Sequence, residues 1–137
     1  MAIKIDNRIT AKRLEKKATA VFELAGPKIA RLQRSWKPDK GTPVFTVKGR
    51  YTSRGWTEWT QGFQFGCAVL QYDATDDSKF LKIGRANTVK HMASHVSHIG
   101  VHDHGFNNVS TYGNLMRLMR EGRIESDDNE RNFYELA

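Results

Sequence analysis

Residues 98–108 hold the densest group of side chains capable of acid–base or binding chemistry. Asp103 lies between His102 and His104, and a Gly-Phe pair and two asparagines follow directly. A carboxylate between two imidazoles can bind a polar ligand or move a proton, and such clusters are typical of active sites. The sequence therefore predicts a functional site here, on a loop between two helical patterns.

The segments that lead to this loop are predicted to begin with a long helix. We expect Thr10 or Asp6 to cap it and Gly26-Pro27 to kink or divide it, because proline removes a backbone donor and clashes with the preceding turn. Apolar residues spaced three and four apart predict its buried stripe, which is Leu14, Ala18, Val21, Ala25, Ile29 and Leu32. Residues 35–60 are expected to be irregular, with residues 44–47 as at most a short strand.

The remaining pattern is also helical. A second helix is predicted from about Gln61 to Tyr72, apolar nearly all round and therefore internal. A turn at residues 73–77 then leads into a third helix, which makes an antiparallel hairpin with the second. Its expected stripe is Phe80, Ile83, Ala86, Val89, Ala93 and Val96.

Two further helices follow the His/Asp loop, so the predicted fold class is all-α. The fourth is expected to be capped by Asn107 or Asn108 and ended by Gly122. Its stripe would be Val109, Tyr112, Met116 and Met119. A fifth helix is expected to start at Asp127 or Asp128 and to be still in pattern at residue 137.

Length and composition set the outer bounds. The 137 residues suit one domain with a modest core. No stretch has the apolar length of a membrane span, and the first residues lack the apolar core of a signal peptide, so we expect a cytoplasmic protein. The single cysteine, Cys67, excludes an intrachain disulfide, and its apolar neighbours predict a buried, inert thiol.

The net charge of +7 comes from the N-terminal part of the chain. Residues 1–60 hold 14 Lys and Arg against 5 Asp and Glu, whereas residues 61–137 hold 8 against 10. Many of these cations alternate with apolar positions on the first helix, which is typical of a solvated helix face. Because no base-stacking or major-groove motif is present, we do not expect nucleic acid as a partner. We expect no membrane partner either, since no stretch has the apolar length of a span.

Three segments of the chain resemble the N-terminal part of glycoside hydrolase family 88, which includes the unsaturated glucuronyl hydrolases. They are Trp56-Thr-Glu-Trp-Thr-Gln-Gly-Phe63, Leu70-Gln-Tyr-Asp-Ala-Thr-Asp-Asp-Ser-Lys-Phe-Leu81 and His102-Asp-His-Gly-Phe106. The resemblance covers about residues 50–121. The first two segments are common to many helical-toroid sugar enzymes and indicate mainly the fold, while the third is narrower and indicates the family.

The resemblance implies an (α/α)6 barrel, in which six helical hairpins form a double ring. Residues 1–137 would be the N-terminal part of that single domain, since the fifth helix is still in pattern at the end. Members of the family release a terminal unsaturated uronic acid from oligosaccharides made by polysaccharide lyases. They hydrate the double bond of that sugar, unlike glycosidases that attack the anomeric carbon. The resemblance implies no cofactor and no metal.

The resemblance also implies roles for individual residues. Asp103 corresponds to an aspartate beside the unsaturated ring that helps to organise proton transfer, and is the predicted catalytic residue. The family's second aspartate, its principal general acid/base, would lie further along than residue 137. Trp59 and Trp56 correspond to an aromatic wall for the sugar, although tryptophan is as often a core anchor. The other substrate contacts predicted are His102, His104 and Asn107. Independently of the resemblance, Arg50 and Arg54 could hold a uronate carboxylate as a charge-assisted pair, but we expect them to be solvated loop residues.

Two other interpretations compete with the enzyme. The first is metal binding. All five histidines fall within 14 residues, and His91, His95 and His98 have the spacing of metal ligands on a possible helix face. No His-Glu-x-x-His signature accompanies them, and histidines near a helix C-terminus are common because they complement its dipole. The second interpretation is a noncatalytic helical module that self-associates through uncovered faces.

Overall fold

A computed structural model describes residues 8–137, which form a mostly helical structure with one small β-hairpin. The helices are α1 (Ala11–Ser35), α2 (Thr60–Thr75), α3 (Ser78–His91), α4 (Ser94–Ser97), α5 (Asp103–Asn108), α6 (Asn114–Arg120) and α7 (Asp128–Leu136). The strands are β1 (Thr42–Val47) and β2 (Arg50–Arg54), preceded by a 3-10 turn at Pro38–Lys40. The helical prediction is thus confirmed in outline, and the hairpin is an addition to it.

Helix α1 is continuous through Gly26-Pro27, so the predicted division into two helices is wrong. Thr10 caps it by accepting a hydrogen bond from the Arg13 amide, and the alternative cap Asp6 lies outside the described residues. The expected buried stripe is wrong in the first half of the helix, where Leu14 and Val21 are 53% and 60% exposed. Only the second half packs, because Gly26 lets α1 approach Gln71 and Phe80 of the next two helices.

The segment predicted to be irregular, with at most a short strand at residues 44–47, contains an antiparallel hairpin whose first strand includes those residues. Thr42 pairs with Arg54 and Val47 pairs with Arg50. The two linking residues, Lys48 and Gly49, both have positive φ angles of 50° and 72°, as a tight primed turn between twisted strands requires. The hairpin lies between α1 and α2 and contacts α2 through β1.

Helices α2 and α3 form the predicted antiparallel hairpin. Phe65, early in α2, stacks on His91 at the end of α3, while Val69 lies against Gly84. Asp77 caps α3 through the Lys79 amide. The predicted stripe of α3 is wrong at Ala86 and Val89, which are exposed; the buried positions are Phe80, Gly84, Asn87 and Thr88.

Helix α2 is less completely buried than its apolar composition predicts. Phe63 is 41% exposed. Cys67 is exposed as a residue, so the prediction of a buried cysteine is wrong, although partial burial still raises the pKa of its thiol. The buried face of α2 instead contains two glycines, Gly62 and Gly66. A Cβ at either position would lie 2.4 Å from the backbone of Asn107 or Ser110, so glycine is what allows this close approach.

Residues 103–120 form one helical run, in which α5 passes through a π-helical segment at Val109–Gly113 into α6. Asn107 and Asn108 lie inside this run, so the prediction that either caps the fourth helix is wrong. The π segment also changes the buried face: Val109 is exposed, while Tyr112, Leu115 and Leu118 are buried. Gly122, with φ of 69°, follows the end of α6 as predicted.

Helix α7 begins as predicted, with Asp127 as its N-cap. The Asp127 carboxylate accepts from the Glu130 amide, and Glu130 accepts in return from the Asp127 amide. Glu130 also pairs with Arg85 of α3, which ties α7 to the helical hairpin.

One cluster of side chains makes the core beneath these helices. Its buried members are Phe65, Val69, Met92, Tyr112, Leu115, Leu118, Ile124 and Tyr134. Because Tyr112 lies near the end of the π segment and the two leucines follow it, the run that carries the His/Asp motif is anchored at its C-terminal half. Within residues 8–137, no helix is both long and apolar enough to cross a bilayer.

Candidate functional site

Asn107 joins the two segments of the site. Its side-chain oxygen accepts from the Gly62 amide at 2.7 Å, and its side-chain nitrogen donates to the Glu58 carbonyl at 3.2 Å. Trp59, the N-cap residue of α2, offers no side-chain cap, so Asn107 satisfies an amide in the first turn that would otherwise lack a partner. The Trp-Thr-Gln-Gly-Phe and His-Asp-x-Gly-Phe motifs therefore lie side by side.

Both polar ends of the Asn107 amide are used in this clamp, and the residue is fully buried. Asn107 thus has no exposed group with which to meet a sugar. Its neighbour Asn108 donates to the His95 carbonyl at 3.0 Å and holds the short helix α4 against α5.

A chain of three imidazoles lies next to this clamp. Nδ1 of His95 is 2.8 Å from Nδ1 of His104, and Nε2 of His104 is 2.6 Å from Nδ1 of His98. The other nitrogen of His95 lies 2.7 Å from the Gln61 side-chain oxygen. His95 and His104 are buried, whereas His98 is exposed, so the chain runs from the interior to the surface.

Burial and mutual repulsion disfavour positive charge on the inner rings. Burial, then repulsion by His104 and His98, lowers the pKa of His95 to about 4. The pKa of His104 is lowered by burial and by His98, and Asp103 partly opposes that shift. Burial penalises the charged imidazole because the interior solvates it less well than water does.

Trp56 covers the imidazole chain. Its indole stacks on His104 with 5.5 Å between ring centroids and 21° between planes. The same ring meets His95 and His98 edge to face, at 5.3 Å and 5.1 Å. Trp56 remains 42% exposed, so one face of the indole is held by the histidines while much of the ring is open to a ligand.

Asp103 lies in the first turn of α5 and not on a loop, which corrects that part of the sequence interpretation. Its carboxylate is 3.5 Å from Nε2 of His102, and the two side chains are 27% and 91% exposed. His102 therefore projects into solvent beside a partly sheltered carboxylate. Two histidines flank Asp103, and His104, which occupies the x of His-Asp-x-Gly-Phe, is the buried one.

Trp59 lies on a different surface from Trp56, next to Phe63, which it contacts edge to face at 5.2 Å. Both rings line a groove of about 880 Å³ between α1, the β-hairpin and α2. Four cationic side chains line the same groove and none of its lining residues is acidic; the cations are Lys28, Arg31, Lys40 and Arg50. Arg54 lies outside this lining, over the ring of Phe45.

The histidine triplet of the metal-site interpretation does not form on one helix face. His91 stacks on Phe65 at the end of α3, away from His95 and His98. The three imidazoles that do converge are hydrogen-bonded to one another, and no group of His, Cys, Asp and Glu within residues 8–137 has the arrangement of a metal site. Gln61, which fixes the inner end of the chain, carried no signal in the sequence beyond its place in the first motif.

Comparison with known proteins finds no matching family model, no similar curated protein and no similar solved structure. The resemblance to glycoside hydrolase family 88 therefore rests on the residues of the three segments alone.

Proposed function

We propose that this chain carries part of the active site of a glycoside hydrolase that hydrates a terminal unsaturated uronic acid. The observation that carries the proposal is the Asn107 clamp, which brings together the first and the third of the three segments on which the resemblance rests. These motifs are separated by about 40 residues in the chain, and each keeps its characteristic polar or aromatic residues accessible. Trp56 stacks on His104, the residue after Asp103, and an acid next to such an aromatic face suits a sugar site.

In this proposal Asp103 lies beside the unsaturated ring and orients the proton that is added to one carbon of the double bond. Water adds to the other carbon, and the resulting hemiketal opens and releases the rest of the oligosaccharide. His102, next to Asp103 and open to solvent, contacts the substrate at the entrance. The two half-exposed tryptophans supply flat apolar faces for sugar rings.

The groove beside Trp59 supports an acidic substrate. None of its four cations makes an ion pair within the described part of the chain. Uronate carboxylates would gain charge-assisted hydrogen bonds there, and the rings of Trp59 and Phe63 would pack against the sugars. Arg50, on β2, is one of the two arginines that the sequence analysis considered for this role and expected instead to be solvated.

The test is to incubate the purified chain with an unsaturated uronyl disaccharide and follow its ultraviolet absorbance, which hydration abolishes. Calorimetric titration on the same samples measures binding separately from turnover. Asp103→Asn tests the assignment, with Asp128→Asn as the matched control because Asp128 also lies in the first turn of a helix and is exposed. Binding without turnover keeps the site but requires a second acid, while neither binding nor turnover contradicts the proposal.

A self-associating helical module is the second candidate, and the first half of α1 favours it. Leu14, Val21 and Leu24 are each more than half exposed and share one side of the helix by their spacing. Sedimentation velocity of the chain and of a Val21→Lys variant tests it. If the unmodified protein and the Val21→Lys variant are both monomers, self-association through this face is ruled out.

A further inference from the structure

The hydrogen bonds of the imidazole chain restrict where its protons can be. The amide of Gly100 donates to Nδ1 of His98 at 3.2 Å, so that nitrogen is an acceptor. His104 must then carry a proton on Nε2 in order to bond to it. A neutral imidazole has one donor and one acceptor nitrogen, so a neutral His104 must accept at Nδ1 from His95.

The inner end of the chain gives the opposite requirement. The Gln61 oxygen faces Nε2 of His95, and an oxygen can only accept, so His95 carries its proton on Nε2. A neutral His95 then accepts at Nδ1, and His104 must donate from that side too. With both ends fixed in this way, His104 donates from both nitrogens and is therefore an imidazolium.

A neutral imidazole chain is possible if the side-chain amide of Gln61 is rotated by half a turn. Its nitrogen then donates to His95, His95 donates to His104, and His104 donates to His98, so that each contact has one proton. The neutral and charged chains thus differ by one proton, by the tautomer of His95 and by the orientation of one amide.

We infer that His95, His104 and His98 form a relay that holds a single excess proton on His104, coupled to rotation of the Gln61 amide. On uptake, the new proton binds Nε2 of His95 after Gln61 rotates. The proton on Nδ1 of His95 moves to Nδ1 of His104, and Nε2 of His104 keeps its own. The reverse steps release one proton, so the charge balances.

The groups that face the relay come from each element around it. Helix α2 contributes the neutral Gln61, α4 contributes His95, and α5 contributes His104 and Asp103. Burial and His98 lower the pKa of His104, and the charge of Asp103 partly opposes that shift. His98 faces the chain from the segment between α4 and α5, and Trp56 covers all three rings. A proton on His104 also places a cation against the indole face, which is attractive.

The consequence for a ligand rests on the proposed function. Proton uptake tightens the stack of Trp56 on His104, and thereby fixes the aromatic surface offered to a sugar. Loss of the proton leaves the indole held by weaker contacts. The relay itself requires no sugar, so its test can fail or succeed independently of sugar binding.

The test is a pH titration of ring ¹⁵N and ¹³C chemical shifts in the histidine-labelled protein without ligand. We expect His104 to become doubly protonated in the same step in which His95 changes from the Nδ1–H to the Nε2–H tautomer. His102, which is exposed, serves as the reference ring. If His95 keeps one tautomer throughout, or if the three rings titrate independently, the relay does not exist.

A charge substitution tests the Gln61 end. Gln61→Glu places an anion that can only accept beside His95, and we expect it to raise the midpoint of the coupled step by about 1 pH unit or more. Gln64→Glu is the matched control, since it adds the same charge one turn along α2 and the Gln64 side chain makes no hydrogen bond within the described residues. Equal shifts in the two variants would overturn the coupling to Gln61.

Discussion

Replacement of Asn107 by alanine should weaken the fold in proportion to the two bonds that its side chain makes. The Gly62 amide is buried and has no other cap, and leaving such a group unpaired costs about 1–3 kcal/mol. The Glu58 carbonyl is only partly buried, so its lost bond adds about 0.5–1.5 kcal/mol. We expect Asn107→Ala to lower the free energy of unfolding by about 2–4 kcal/mol, a large share of the stability of a typical small domain.

Urea unfolding followed by circular dichroism measures this change, with Asn114→Ala as the control. Asn114 donates only to the Ser110 and Val109 carbonyls of its own helical run, and alanine is a better helix former. We expect the control to stay within about 0.5 kcal/mol of the unmodified protein. If the two variants lose equal stability, Asn107 does not join the two motifs in solution.

Three further predictions concern packing, pH and charge. Gly66→Ala should abolish or severely weaken the cooperative thermal transition, because its Cβ would meet the Ser110 carbonyl oxygen at 2.4 Å. The control Gly105→Ala should keep that transition, because nothing lies within 4 Å of the added Cβ. The pKa of His95 in the folded protein is lowered to about 4, below the ordinary value of 6.5. The stability that neutral His95 contributes is therefore fully present above pH 6.5 and falls as the pH decreases towards 4. Urea midpoints across this range should fall less steeply in His95→Gln, and equal slopes would contradict the assignment. Arg123→Gln should lower the urea midpoint of unfolding more in low salt than in high salt, because Arg123 pairs with both Asp73 and Asp76. A loss of stability that does not depend on salt would point to packing instead.

The parts of the fold that the sequence predicted are those decided by local chemistry. Caps such as Thr10 and Asp127 bond to amides three residues away, and the α2/α3 hairpin follows from two helical patterns joined by a short acidic turn. The predicted stripe of α1 was wrong because periodicity shows which residues share a face and not whether a partner covers it. The β-hairpin was missed because its turn is Lys48-Gly49, which lacks the Asn-Gly or Asp-Gly signal.

The sequence named residues for the candidate site but did not predict how most of them are arranged. Asp103, His102 and the tryptophans were named from the motifs, and their accessibility agrees with surface positions. The interior chain was not foreseen, since His95 and His104 meet only after α4 turns back towards α5, and Gln61 comes from 34 residues earlier. Contacts over such separations depend on how helices pack, which no local spacing encodes.

The π-helical segment at Val109–Gly113 separates two jobs within one helical run. Such a segment is equivalent to one residue inserted into an α-helix, and one residue corresponds to a rotation of about 100°. Deleting a single residue there would leave Leu115 and Leu118 in the core but swing His104 and Asn107 away from their partners. The chain could thus remodel its site through a one-codon change that leaves these core leucines in place, at the stability cost of the Asn107 bonds. This segment is therefore the point where the site can change with the least change to the rest of the core.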